Sequence, residues 1–223
     1  MKPRALYAAG LSMLLLPIMA GAQQPARVVS VGGHVTEIIY ALGAQDRLVG
    51  VDSSSIYPQA ATLLPSVGYL RQVGVEGVAS LQPDMIIASH DIGPPPAVEK
   101  LRALGIPLVI TAQTDSIDEA AQRIREVGKA LGLVEQAGAL ASKVQREADA
   151  ESQRLNALPD PRPKVALFLG FGHASPMVAG AETAGDAMIR LAGGDNVFAG
   201  VKGFKPVTAE ALIAASQIGR AHV

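Results

Sequence analysis

Tyr69 is the side chain in this sequence with the clearest chemical potential. It stands in "LPSVGYLRQVGVEG", residues 64–77, directly after Gly68 and two residues before Arg71. The stretch has neither a helical nor a strand period, so the tyrosine reads as a loop residue. The ordinary role of a lone tyrosine is an amphipathic ring packed on a loop. Its neighbours argue for more. Gly68 leaves room beside the ring for a large flat partner, and Arg71 faces the same way if the segment is extended. A guanidinium there favours the phenolate by charge and by hydrogen bonding. A phenolate is a hard anionic oxygen suited to ferric iron, and tyrosine is among the axial ligands of haem iron.

Other chemistries are poorly supported. His34, His90 and His173 are far apart and share no zinc-ligand spacing. His34 and His90 read as polar loop or helix-start residues. His173 lies in "GFGHASPM", a glycine-rich loop after a strand, where open parallel sheets bind ligands. There is no cysteine, no G-x-S-x-G elbow and no H-E-x-x-H. The serines of "DSSS", 52–55, have no identifiable partner and read as a turn. "VVSVGGHVTEI" lacks the spacing of a dinucleotide fingerprint; it reads as a turn where glycine lets the backbone approach a ligand.

The elements around these residues alternate. Strands are expected at 27–31, 47–51, 84–89 and 107–111, with helices at 36–43, 75–81 and 96–105. That succession calls for a parallel sheet with helices on both faces. Ser116-Ile117-Asp118-Glu119 is a capping box that opens a longer helical region. Apolar residues at 117, 120, 124, 127 and 131 form one stripe, and those at 137, 140, 141, 144, 148 and 155 a second, broken at Gly132. The α/β pattern then restarts with a strand at 164–170 and a helix at 183–198. About 40 helical residues are long for a simple crossover, so they read as a rigid connector between two lobes.

At the N-terminus, Lys2 and Arg4 precede an apolar run that ends at Ala20-Gly21-Ala22. This has the form of a cleavable secretory signal, so the mature chain is expected to start at Gln23 in the periplasm. No later apolar run has membrane-spanning length, which predicts a soluble mature protein. Without Lys2 and Arg4 the formal net charge of −1 becomes −3. That balance argues against a nucleic-acid partner. With no cysteine after export, stability must come from an ordinary core.

The two halves resemble each other weakly. "EIIYALGAQD" (37–46) aligns with "AMIRLAGGDN" (187–196), and "EGVASLQPD" (76–84) with "EALIAASQI" (210–218). In the second half the strand that should follow is missing. "QIGRAHV", 217–223, is what the start of a common sequencing adapter would encode, so a non-native tail is expected there. The expected organisation is a signal peptide at 1–22, an N-terminal α/β lobe at 23–132, a connecting helix at 133–160 and a truncated C-terminal α/β lobe at 161–216.

Four segments carry a family resemblance: "GGHVTEIIYALGA", "LPSVGYLRQVGVEGVASLQPD", "PMVAGAETAGDAMIRLAGG" and "AEALIAAS". They span residues 32–216. The chain resembles the periplasmic haem-binding proteins of bacterial haem-uptake ABC transporters, in the class of helical-backbone carriers that also serves cobalamin and ferric siderophores. "VGYLR" is the most specific segment, because it separates haem carriers from those relatives. The resemblance implies two α/β lobes joined by a long helix, with the ligand in the cleft between them. It implies Tyr69 as axial ligand of ferric haem, Arg71 as its hydrogen-bonding partner, and a histidine contact near His173, whose position is about two residues off the pattern. It also implies that Glu76 and Glu210 dock to the inner-membrane ABC permease dimer; their equivalence emerges separately from the internal repeat. An outer-membrane haem receptor system would be a further partner. A sister carrier for a ferric siderophore or cobalamin is the alternative, and a metal-dependent periplasmic enzyme using His173 and acidic residues is a more distant one.

Overall fold

The computed structural model describes residues 25–113, 116–158, 161–170 and 176–208. Its first half is built on a parallel sheet. Strand β1 (Val28–Val31) leads into helix α1 (Gly33–Ala41) and strand β2 (Leu48–Val51). A two-stranded antiparallel hairpin follows, β3 (Gly68–Tyr69) with β4 (Gln72–Val73). Then come α2 (Val75–Ser80), β5 (Met85–Ala88), α3 (Pro95–Ala103) and β6 (Leu108–Ile110). The sheet order is β2-β1-β5-β6, with every neighbouring pair parallel.

The pleat sorts the strand residues between two faces. Val28 and Ile87 join Val35 and Ile39 of α1 in one cluster, which extends to Ala121, Ile124, Val127 and Leu131. Val29, Val31, Ile86 and Ala88 point the other way, onto Val78 of α2 and Val98 and Leu101 of α3. The alternation follows from the period of two along a strand. A sheet covered on both faces needs apolar residues at nearly every position, and "VVSV" is fully buried throughout. Each large aliphatic side chain so buried contributes about 1.5–3 kcal/mol.

The helical region is two helices. Ser116 caps α4 (Ile117–Leu131), its hydroxyl accepting from the Glu119 amide at 3.2 Å, as the capping box predicts. Gly132, at φ 71°, ends α4 in the left-handed conformation. Helix α5 (Val134–Asn156) then runs for 23 residues, or roughly 34 Å at 1.5 Å per residue. Its first half packs on α4 through Ala137 and Ala141. Near its far end, Leu155 lies against Gly193 of the second α/β region. One helix therefore touches both regions.

The second region departs from the expected elements in two places. The single strand expected at 164–170 is two short ones, β7 (Lys164–Val165) and β8 (Phe168–Leu169), which join different sheets. The helix expected over 183–198 is α6 (Ala184–Leu191), which ends before Gly193 at φ 76°. The residues beyond it form β10 (Asp195–Asn196), parallel to β7. Strand β9 (Met177–Ala179) sits between β8 and β11 (Phe204–Pro206), antiparallel to both. The described residues here thus hold one parallel pair and one antiparallel sheet. Among the described residues no helix is long and apolar enough to cross a membrane.

Candidate functional site

The strand order decides where a site can lie. From β1 the chain moves to β2 on one side, then returns to β5 on the other. The loops leaving the carboxyl ends of β1 and β5 consequently part at a topological switch point, where ligands of open α/β sheets bind. Three segments meet there: Gly32-Gly33-His34 after β1, Asp52–Ser55 after β2 and Ser89-His90-Asp91 after β5.

Close approach among these loops explains the two glycines after β1. Gly32 has φ 111°, and a Cβ there would stand 2.9 Å from the Ser89 Cβ. A Cβ on Gly33 would stand 2.9 Å from the Ser54 carbonyl oxygen. The glycines let neighbouring loops of the protein itself approach, where the sequence reading had a ligand. Asp52, 1% exposed, secures the arrangement. Its carboxylate accepts from the Gly32 amide (2.7 Å), the Ser54 amide (2.9 Å), the Ser54 hydroxyl (2.6 Å) and the Ser55 hydroxyl (2.9 Å). The Ser55 hydroxyl continues to Thr36 and thence to Ser30. The Ser54 and Ser55 hydroxyls of "DSSS" therefore do have partners, and their work is to shape the loops.

The tyrosine stretch is an ordered hairpin with Leu70 and Arg71 at its turn, in place of the expected irregular loop. Gly68 sits at φ 96°, and a Cβ there would come within 2.9 Å of the Gln72 carbonyl oxygen. This glycine is needed by the hairpin backbone itself. The hairpin is tied to the β5–α3 loop, since the Gly93 amide donates to the Leu70 carbonyl (2.9 Å) and the Val73 amide donates to the Gly93 carbonyl (2.9 Å). On the other side the Ser53 amide donates to the Gly68 carbonyl at 2.8 Å. Tyr69 is held by backbone on both flanks while its side chain stays 45% exposed.

Arg71 does not bond the phenol here. Its Nη2 donates to Oδ2 of Asp91 at 2.7 Å, and Nε2 of His90 lies 2.7 Å from Oδ1 of the same carboxylate. The Arg71 hydrogen bond holds Asp91 below the usual carboxylate range, aided by the charges of His90 and Arg71. The same bond, with smaller contributions from the charges of Asp91 and Tyr69, raises Arg71. His34, second residue of α1, has its Nε2 buried with no partner among the described residues. Burial, then the charges of Arg123 and His90, push its pKa down to about 4, against the pull of Asp91 and Asp52. Its imidazole is neutral at pH 7.

The remaining expected residues are dispersed. Glu76 is exposed in the first turn of α2. His173 and Glu210 lie outside the described residues. Lys202, a cationic side chain of the second region, is paired with Glu182 at 2.6 Å. A groove of about 590 Å³ between α4, α5 and α6, lined by Asp118, Gln145, Arg162 and Arg190 among others, includes neither Tyr69 nor Arg71. Among the described residues no group of three or more His, Cys, Asp or Glu could hold a metal ion. Asp91 and the orphaned His34 nitrogen went unrecognised in the sequence. The available signal was "SHD" directly after a buried strand, but only the strand order shows that this strand neighbours β1.

A two-faced parallel sheet, a long helix shared with a second α/β region and polar loops at the sheet's carboxyl end describe a ligand-binding protein of the bilobal kind. The chain belongs to the periplasmic binding protein family, whose model matches residues 28–217. It is 33% identical over 201 residues to the Vitamin B12-binding protein of Yersinia pseudotuberculosis, covering 88% of this chain and 67% of that protein. Among solved structures it is similar to the periplasmic heme-binding protein RhuT of Roseiflexus sp. RS-1, with 41% identity, a TM-score of 0.81, and 86% of this chain and 73% of that one covered. It is likewise similar to a periplasmic heme-binding protein of Pseudomonas aeruginosa, with 34% identity, a TM-score of 0.80, and 86% and 70% covered.

Proposed function

We propose that this chain is a carrier that captures ferric haem in the periplasm and delivers it to an inner-membrane ABC permease dimer. Tyr69 supplies a phenolate to the iron, and Arg71, two residues on, is read as its cationic partner in the ligand-bound site. The observation that carries the reading is the setting of Tyr69: a half-exposed phenol on a hairpin tied at both flanks, with a guanidinium two residues on. A ligand residue held by backbone on both sides loses little freedom on binding, which favours affinity. The haem is read as lying between the lobes at 23–132 and 161–216, joined by the connector at 133–160. His173 is read as a further haem contact from the second lobe. Glu76 and Glu210 are read as the two acidic contacts to the permease, one from each lobe. An outer-membrane haem receptor system would supply the cargo.

The identity to a B12-binding protein favours a second reading, in which the cargo is cobalamin. Titration of the purified protein with haemin and, separately, with cyanocobalamin distinguishes the two. The expected result is a shifted Soret band and a tyrosinate charge-transfer band with haemin, both abolished in Tyr69→Phe. His173→Ala is expected to weaken haemin binding less than Tyr69→Phe does. Tight cobalamin binding that survives Tyr69→Phe, with no haemin spectrum, would sink the haem reading.

A further inference from the structure

We infer that Asp91 is a positioning residue for this ligand site: it holds the Arg71 guanidinium beside Tyr69 before any ligand arrives. The inference rests on the haem reading of Tyr69 and Arg71 given above.

Arg71 is a long side chain at a hairpin turn, 64% exposed. Left to itself, such a side chain samples many rotamers, and fixing it costs conformational freedom. Asp91 restricts that freedom in advance, through one charge-assisted bond of 2.7 Å. The carboxylate is itself fixed. Its other oxygen meets Nε2 of His90 at 2.7 Å, and its backbone amide donates to the Ser89 hydroxyl at 3.3 Å. The loop that carries it is bonded through Gly93 to both sides of the Arg71 turn. A Cβ on Gly93 would stand 3.3 Å from the Arg71 carbonyl oxygen, so the two backbones are nearly in contact.

The geometry also decides between holding and sequestering. A carboxylate that met the guanidinium with both oxygens would occupy two edges of the fork and compete with a ligand. Here the only hydrogen bond between the two runs from Nη2 of Arg71 to Oδ2, while Oδ1 lies beside Nε2 of His90 at 2.7 Å. Nε and Nη1 of Arg71 remain for a second acceptor, either the Tyr69 phenolate or a carboxylate of the ligand. A guanidinium has five N–H donors in a rigid fork, so serving two acceptors at once suits it. The sign follows. Removing Asp91 weakens ligand binding, because Arg71 must then be ordered at the moment of binding.

The test compares haemin binding to the wild type, Asp91→Asn, Arg71→Ala and the double variant, with Tyr69→Phe as the reference for iron ligation. Asp91→Asn keeps the shape and one acceptor oxygen while removing the charge; an unchanged Tm shows that the fold is intact. The expected result is haemin binding roughly fivefold weaker in Asp91→Asn, a displaced tyrosinate charge-transfer band, and faster transfer of haem to apomyoglobin. In the Arg71→Ala background, Asp91→Asn is expected to change none of these. An equal loss in both backgrounds would show that Asp91 does not act through Arg71 and would overturn the inference. So would unaltered binding and spectrum in Asp91→Asn. A wild type that shows no tyrosinate band with haemin overturns the haem reading, and this inference with it. A wild type that shows the band, beside an inert Asp91→Asn, overturns the inference alone.

Discussion

The Gly93 amide donates to the Leu70 carbonyl at 2.9 Å, and the Gly93 carbonyl accepts from the Val73 amide at 2.9 Å, so one residue joins the hairpin that carries Tyr69 to the loop that carries Asp91. Gly93 can do so because it has no side chain: a Cβ would sit 3.3 Å from the Arg71 carbonyl oxygen, tighter than ordinary contact. Gly93→Val adds three carbons at that point and forces the hairpin outward. The expected cost is about 1–3 kcal/mol of stability, the range for overpacking. The haemin affinity is expected to fall further than the stability change alone would suggest, since the displaced turn carries both Tyr69 and Arg71. Denaturant melts and haemin titration on one sample check both.

Asp52 organises the loops beneath the same site. Four donors converge on a carboxylate that is 1% exposed. Asp52→Ala leaves the Gly32 and Ser54 amides and two hydroxyls without their acceptor, at about 1–3 kcal/mol for each group that stays buried and unpaired. Water can enter at Ser54, which is only partly buried, so a total loss of about 3 kcal/mol is expected. Equilibrium urea unfolding of the variant measures it, and a loss below a few tenths of a kcal/mol would contradict the assigned network.

His34 predicts a pH dependence of stability. Its folded pKa is pushed down from 6.5 to about 4. Between these values the unfolded chain binds a proton that the folded chain does not, so stability rises with pH across that window. Read downward, stability falls from pH 6.5 to about pH 4 and has no further dependence on this residue below that. Partial exposure to water limits the change to at most about 3 kcal/mol. His34→Gln is expected to flatten the profile between those limits in chemical melts taken at several pH values. A slope that persists in the variant would assign it to other groups.

Gly128 tests the pairing of α4 with α5. A Cβ placed there would overlap that of Ala137, which is fully buried on α5. Alanine in a helix interior gains roughly 0.5–1 kcal/mol over glycine. Overpacking at a tight helix contact costs about 1–3 kcal/mol. The overlap lies between two backbone-attached carbons that no rotamer can move aside, so the clash wins. Gly128→Ala is expected to lower stability, while Gly138→Ala on α5, where a Cβ meets nothing within 4 Å, is expected to raise it slightly. Thermal melts of the two variants should shift in opposite directions.

Much of the first half was legible in the sequence because its signals are local. "VVSV" and "MIIA" are apolar at nearly every position, which announces strands buried on both faces. The Ser116 cap and Gly132 mark the ends of α4 by the chemistry of free amides and of left-handed backbone. The second half was harder. Residues 165–169 are apolar throughout, yet the run divides between two sheets, and no local feature marks the break. Helix α6 stops at the first glycine of Gly193-Gly194, while Asp195 and Asn196 leave to pair with β7. That pairing partner lies 31 positions away in the chain, too far for periodicity to register.

The site divides along the same line. Residue order by itself determined that Tyr69 and Arg71 are neighbours, because two residues in a short segment can share a surface wherever the chain goes. Only the tertiary structure decided that Asp91, 20 positions later, holds Arg71, and that the orphaned nitrogen of His34 and the network of Asp52 lie at the same end of the sheet. The reason is physical. Those contacts depend on β1 lying between β2 and β5, and strand order is set by packing helices on both faces of the sheet at once. No short stretch of sequence carries that information.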